Sequence, residues 1–417
     1  MGALSGLRVL DLSRVLAGPW CAQTLADMGA QVVKVERTGA GDDTRAWGPP
    51  WRDAPSGGER DSAYFLSANR NKQSVAVDFS RPAGADLVRR MAARCDVLIE
   101  NFKVGSLARH GLGYEDLAPL NPRLVYCSIT GFGQQGPYAQ RAGYDFLIQG
   151  MGGLMSITGV PDGLPGAGPQ KVGVALTDLL TGMYAATGIL AAVMESRATG
   201  QGQHLDVSLL DVQIASLANQ AMNYLVGGKA PGRLGNAHPN IVPYQDFRTR
   251  DGYLILAVGN DLQFRRFCQV CGQAEWADDA RYATNPARIE HRDELVGGIA
   301  QVIAQRDTAH WIQALEAAGV PCGPINTIEQ AFADAHVVHR QARGSIASAH
   351  KGNVPTVASP IRLSRTPVEY RHAPPGLGQD TRQVLGEWLA MEPADIDRLM
   401  EQGVVAGSQG QAPAGAA

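Results

Sequence analysis

The first 36 residues constrain this chain more than any other stretch. LRVLDL (7–12) and QVVKVE (31–36) are short β-rich runs, and an apolar helix is predicted between them from about Pro19 to Met28. Strand, helix and strand in so short a span make a βαβ unit, whose crossover is right-handed in nearly every parallel sheet. The pattern continues. SVAVDF (74–79) leads through a predicted helix around 82–94 into CDVLIEN (95–101), and NPRLVYCSIT (121–130) reads as another buried strand. Apolar strands alternating with helices predict an α/β fold with a mostly parallel sheet. The first βα turn reads SRVLAGP (13–19), not GxGxxG, which argues against a dinucleotide-binding fold of the usual kind.

Further along, GGLMSITGVPDGLPGAGP (152–169) is too rich in Gly and Pro for a helix and is predicted to be a long, shaped loop. VALTDLLTGMYAATGILAAVMESR (174–197) is a long apolar helix bracketed by Gly173 and Gly200. The texture changes near Gly227. GNAHPNIVPYQDFRTRDGYLILAVGN (235–260) carries short strands, Pro and a hairpin signal at Asp251–Gly252, with helices expected at 261–271, 292–305 and 308–318. The organisation expected is a large domain from 1–224, a small domain from 225–330, a return of 331–400 to the large domain, and a fraying tail over 401–417.

Composition removes several function classes. With 37 Lys+Arg against 40 Asp+Glu there is no basic surplus to engage phosphate backbones, so no nucleic-acid partner is expected. No run of 18 apolar residues predicts a membrane span, and MGALSGLRVLDLS reads as a first strand, not a signal peptide. Six scattered cysteines suit a reducing cytoplasm, and Cys268 and Cys271 read as two thiols on one helix face. Nine dispersed histidines offer no paired ligand spacing, so no metal site is expected. Neither a Walker A loop nor a GxSxG elbow is present.

Residue chemistry leaves two roles open for Asp178, in the first turn of the long apolar helix: a helix-capping carboxylate, or a nucleophile beside the Gly-rich segment. In either role the helix dipole and free N–H groups are expected to keep it ionised. Arg37 closes the second strand, where cations of parallel sheets often meet anionic ligands. Arg70, Lys72, Lys103 and Arg109 add positive charge near other strand ends, a pattern that suits a polyphosphate or a solvated face.

The stretches LSANRNKQSVAVDF, NFKVGSLARHGLGYEDL, GFGQQGPYAQRAGYDFLIQ, VALTDLLTGMYAATGILAA and TGQGQHLDVSLLD, with LRVLDLSRVLAGP, resemble the class III CoA-transferase family from about residue 4 to 400. GNAHPNIVPYQDFRTRDGY, AVGNDLQF and GVPCGPINT look closest to its succinyl-CoA:glutarate branch. The resemblance implies a Rossmann-like large domain built from both ends of the chain, a smaller central α+β domain and an interlocked homodimer. Its substrates would be acyl-CoA and small carboxylic acids, dicarboxylates such as succinate or glutarate, with no permanently bound cofactor. It maps the nucleophile of the family's D-x-x-T-G-M segment onto Asp178. CoA contacts map onto Leu16, Ala17, Arg37, Val77, Asp78, Phe79, Ser80, Asn101, Phe102, Lys103, Arg109, Arg141 and Tyr144. Arg14 and the segment holding Gly235, Asn236 and His238 replace residues of the formate- and oxalate-using branch, which counts against those substrates; Arg14, alone or with His238, is expected to hold the distal carboxylate of a dicarboxylic acyl group, with Gly235 and Asn236 also binding substrate. An α-methylacyl-CoA racemase on the same fold is one alternative. It would need a histidine where this chain has Tyr144, and a phenol is a poor base near neutral pH. A non-catalytic CoA-binding protein is another, and the retained Asp178 speaks against it.

Overall fold

The structure, a computed structural model, describes residues 2–53, 60–349 and 351–407. The chain divides into two units. One comprises Met1–Leu154, Val172–Gly228 and Val338–Ala417, the other Met155–Lys171 and Lys229–Val337.

The first unit is built on one seven-stranded sheet. Its strands are β1 (Arg8–Asp11), β2 (Gln31–Glu36), β3 (Lys72–Val77), β4 (Val97–Glu100), β5 (Val125–Thr130), β6 (His204–Ser208) and β7 (Val405–Ala406). They lie in the order β6-β5-β4-β1-β2-β3-β7, all parallel except β7. The helices that matter below are α1 (Ala17–Asp27), α2 (Ala63–Ala68), α3 (Pro82–Ala92), α4 (Asp145–Met151), α5 (Leu176–Thr199), α6 (Leu209–Ala215), α7 (Ala218–Gly227) and α8 (Thr381–Leu389).

Alternation along the strands builds a core on each face. Leu10, Val33, Val75 and Leu98 join Leu87, Val88 and Met91 of α3 and Val384, Leu385 and Trp388 of α8. Val9, Val32, Val97, Val125 and Cys127 face the other way, against Cys21, Ala22 and Leu25 of α1 and Ala185 and Ile189 of α5. Because both faces are covered, the strands read as continuous apolar runs.

Two expectations need correction. The fraying tail does not begin at 401: Val404 and Val405 are buried, and β7 covers the open edge of β3, with 408–417 outside the described residues. The Gly- and Pro-rich stretch is not all loop. It carries the short helix Leu154–Ile157 and an antiparallel pairing of Gly159–Val160 with Gly168–Pro169. By length and mean hydropathy alone, 1.4, α5 matches a bilayer-crossing helix, a test that the core helix of a globular unit passes as well. Within its unit α5 packs against α1, α6 and β5.

The second unit has a three-stranded antiparallel sheet of Tyr244–Arg248, Tyr253–Ala257 and Cys322–Pro324. Helices Asp261–Val270, Arg292–Ile303 and Thr308–Ala317 close a core around Phe247, Leu254, Phe264, Phe267, Cys268 and Trp311. The segment 155–171 belongs to this unit, where Arg233 donates to Val160 O at 3.1 Å and pairs with Asp162.

Candidate active site

Strand order reverses between β1 and β4: the chain runs outward through β2 and β3, then returns to lay β4, β5 and β6 on the other side. Loops leaving such a switch point diverge and open a crevice at the carboxyl ends of the strands. Here the loops are 12–16 and 101–104.

The first loop is strained and firmly held. Val15 sits at φ 71°, a left-handed conformation that a β-branched residue rarely adopts. Its N–H donates to Asp42 Oδ1 at 3.3 Å. Asn101 clasps the preceding residue, accepting from Arg14 N–H at 2.9 Å and donating to Arg14 O at 2.7 Å. Beneath the loop lie two fully buried ion pairs, Lys34–Asp42 and Lys72–Asp11, each at 2.9 Å. Lys34 also donates to Ser13 O at 2.7 Å, and Lys72 to Pro19 O at 2.9 Å. Burial alone would raise Asp42, but Lys34 and the Thr44 N–H bring it down to about 2.

A cavity of about 240 Å³ opens over this crevice. Its wall includes Arg14, Leu16, Ala17, Asn101, Phe102, Lys103, Arg141, Tyr144 and Asp178. A second cavity of about 260 Å³ shares Arg14 and Phe102 with the first and is walled by Leu12, Val35, Val77 and Phe79, with Arg37, Asp78 and Ser80 at hand. Asp43 ties the two arginines together, meeting Arg14 at 3.2 Å and Arg37 at 3.0 Å. The Arg14 guanidinium lies 4.9 Å from the centre of the Phe102 ring.

Asp178 reaches the first cavity from the opening turn of α5. That helix comes unusually close to α1 because of Gly182, one turn further on: a Cβ there would sit 2.7 Å from Ala17 O. A second close approach, of Gly131 to Gly143, carries the loop before α4 over the cavity; a Cβ on Gly131 would meet Gly143 Cα at 2.6 Å. The loop delivers Tyr144 and Asp145. Asp145 Oδ2 accepts the N–H of Thr177 at 2.8 Å and of Asp178 at 3.3 Å, and its Oδ1 accepts from Gln149 at 2.6 Å.

This overturns the expectation that free N–H groups keep Asp178 ionised: Asp145 has taken them. Burial, and then the Asp145 charge, push the Asp178 carboxyl up to about 7. Among the described residues no ion pair or side-chain hydrogen bond reaches it. Tyr64 of α2 is pushed up to about 12 by burial and by the charges of Asp178 and Asp145.

Residues 4–381 match the family described as CoA-transferase family III. The chain belongs to that family. It is 52% identical over 394 residues to the succinate–glutarate CoA-transferase of Agrobacterium fabrum, covering 93% of this chain and 96% of that one. It is 44% identical to the succinyl-CoA:glutarate CoA-transferase of Mus musculus, covering 97% and 91%. The crystal structure of a CAIB/BAIF family protein from Brucella suis superposes with a TM-score of 0.81 at 48% identity, covering 93% of this chain and 99% of that one.

As a CoA-transferase of this family, the chain gathers most of the expected residues at one end of its sheet, with exceptions. Arg109 is exposed and lines neither cavity. Both polar atoms of the Asn101 side chain are committed to the Arg14 backbone. Arg70 and Lys72 do not serve a polyphosphate site: Arg70 is buried against Asp27 at 2.5 Å, and Lys72 against Asp11. Gly235, Asn236 and His238 belong to the second unit, where Asn236 donates to Asp246 at 2.9 Å and His238 Nδ1 accepts from Asn240 N–H at 3.1 Å. Burial and Arg292 lower the His238 imidazole. Sequence reasoning missed Asp145 and Tyr64. An acidic residue opening the LIQG run was the one visible sign of Asp145, and nothing marked Tyr64.

Proposed function

We propose that this protein transfers CoA between succinyl-CoA and a dicarboxylic acid such as glutarate, with Asp178 as the covalent nucleophile. The observation that carries this reading is a carboxyl with no counter-ion on a cavity wall, made more basic by burial. The Asp178 carboxylate attacks the donor thioester carbonyl, the C–S bond breaks, and CoA leaves as thiolate with a mixed anhydride left behind. The thiolate attacks the Asp178 carbonyl of the anhydride, releasing the donor acid and leaving an aspartyl-CoA thioester. The acceptor carboxylate then attacks that thioester, and the returning thiolate takes the acceptor acyl group and restores Asp178. Each intermediate keeps thioester-like energy, so the site must keep water from the anhydride.

The second cavity supports a place for the adenine moiety, between Val35, Val77 and Phe79, with Arg37 toward the phosphates. Arg14, on the wall shared by both cavities, is suited to the distal carboxylate of a dicarboxylic acyl group. His238, with Gly235 and Asn236, is proposed to contact substrate. A homodimer is supported by apolar surface on α7 and α5, where Leu225, Val226 and Met194 are 70%, 81% and 74% exposed. Six free cysteines suit a reducing cytoplasm.

Mixing the enzyme with succinyl-CoA and mapping peptides by mass spectrometry tests the nucleophile. A hydroxylamine-sensitive adduct on Asp178, lost in Asp178→Ala, is expected. Turnover without any adduct at that residue would refute the reading.

A further inference from the structure

Asp145 stands outside the chemistry just described, yet among the described residues it is tied directly to the backbone at its centre. One carboxylate oxygen receives the backbone N–H of both Thr177 and Asp178, and the other is fixed by Gln149. Thr177 in turn is locked by its hydroxyl, which donates to Gln213 at 2.6 Å. A carboxylate from α4 thus caps α5, and its charge faces the nucleophile.

We propose that Asp145 is a positioning residue for the nucleophile: it fixes the first turn of α5 and, through its negative charge, favours the state in which Asp178 has lost its own. The inference rests on Asp178 being the nucleophile. When Asp178 attacks a thioester, its oxygen lone pair becomes the new C–O bond. The C–S bonding pair departs with the CoA thiolate, so negative charge leaves the neighbourhood of Asp145. Repulsion present in the resting enzyme is relieved in the anhydride and in the aspartyl thioester. The same repulsion delays ionisation of the resting carboxyl on raising the pH. The other charged or titratable groups facing Asp178 are Tyr64 on α2 and Arg14, Lys103, Arg141 and Tyr144 of the cavity wall. Among the described residues none of these cations pairs with it.

The test is the pH dependence of adduct formation in a single turnover with succinyl-CoA, for the parent, Asp145→Asn, Asp145→Glu and Asp178→Asn. Asp145→Asn keeps an oxygen to accept the two N–H groups and removes the charge. Its acid limb is expected to move down by about 1 pH unit, the lower end of what a nearby charge does to a carboxyl. Asp145→Glu keeps the charge and should hold the limb where the parent has it. If both variants slow the reaction equally at every pH, with limbs unmoved, Asp145 is merely structural and the inference fails. Should Asp145→Asn not fold, a limb displaced in folded Asp145→Glu would overturn it equally. Asp178→Asn separates the two readings: no adduct at any pH leaves the nucleophile intact whatever Asp145 does, whereas parental transfer by Asp178→Asn removes both.

Discussion

Replacing Asp178 by Asn should abolish CoA transfer and at the same time make the protein more stable above neutral pH. The folded state raises this carboxyl from 3.8 to about 7, through burial and then Asp145. Folded chains therefore hold the proton more tightly than unfolded ones. The stability this confers is complete below the unfolded value and is lost as pH climbs through the folded one. The full shift corresponds to at most ~4 kcal/mol. Asp178 lines a solvent-reachable cavity, so water returns much of that, and about 1–2 kcal/mol is the expected gain for the neutral side chain at pH 8. For a unit of this size the gain raises Tm by roughly 2–6 °C. Calorimetry of parent and variant at pH 5 and pH 8 reads it directly. The gap should widen toward pH 8, since from pH 5 up to about 7 the unfolded chain has already lost the proton that the folded chain still holds. Curves that stay parallel would refute the claim that Asp178 is a destabilised carboxyl in the resting protein.

Other outcomes follow from the same geometry. Arg14→Ala should raise KM for succinate and glutarate at least about 10-fold, the loss of one charge-assisted contact, and leave monocarboxylates nearly unaffected; equal effects on both classes would remove Arg14 from the distal-carboxylate role. Gly182→Val should push α5 from α1 and destabilise the fold by about 1–3 kcal/mol, with kcat falling further than stability alone explains; parental kcat would show that the close approach does not set the position of Asp178. Lys72→Met should cost about 3–5 kcal/mol in urea titrations by stranding buried Asp11, and an unchanged midpoint would mean that the buried pairs do not hold the 12–16 loop.

Much of the fold was legible because strands buried on two faces leave a strong mark. Val9 and Leu10, Val32 and Val33, Val97 and Leu98 serve opposite cores, and so appear as adjacent apolar residues. Strand ends were less legible. β3 starts at Lys72, two residues before the apolar run suggested, because Asp11 makes a lysine tolerable in the sheet. The same pairing, and that of Arg70 with Asp27, turned two apparent ligand cations into structural ones. Neither fact is written locally: Asp11 and Asp27 lie far from their partners in sequence. The environment of Asp178 failed for the same reason. Local rules award the first N–H groups of a helix to nearby acids, and here an acid 33 residues away in sequence takes them. Only the folded loop, passing where Gly131 meets Gly143, makes that possible.

The surroundings of Asp178 then separate it from four other carboxyls near the crevice. Asp11 and Asp42 are lowered, each held by a buried lysine. Asp43 is shared by Arg14 and Arg37. Glu100 resembles Asp178 at first sight, for burial pushes it also to about 7. But Glu100 accepts the Phe102 N–H at 2.7 Å and is hydrogen-bonded by Ser128, so its oxygens already serve the floor of the 101–104 loop. Asp178 lines the cavity with no such obligation and with a like charge behind it. A carboxylate that is costly to keep ionised is a poor structural element and a good nucleophile, because forming an anhydride or a thioester removes the charge the fold disfavours. The arrangement has a direct kinetic consequence. Acylated enzyme should accumulate more in the parent than in Asp145→Asn under identical succinyl-CoA, since only the parent gains relief from repulsion. Equal accumulation would show that the charge behind Asp178 plays no part in holding the intermediate.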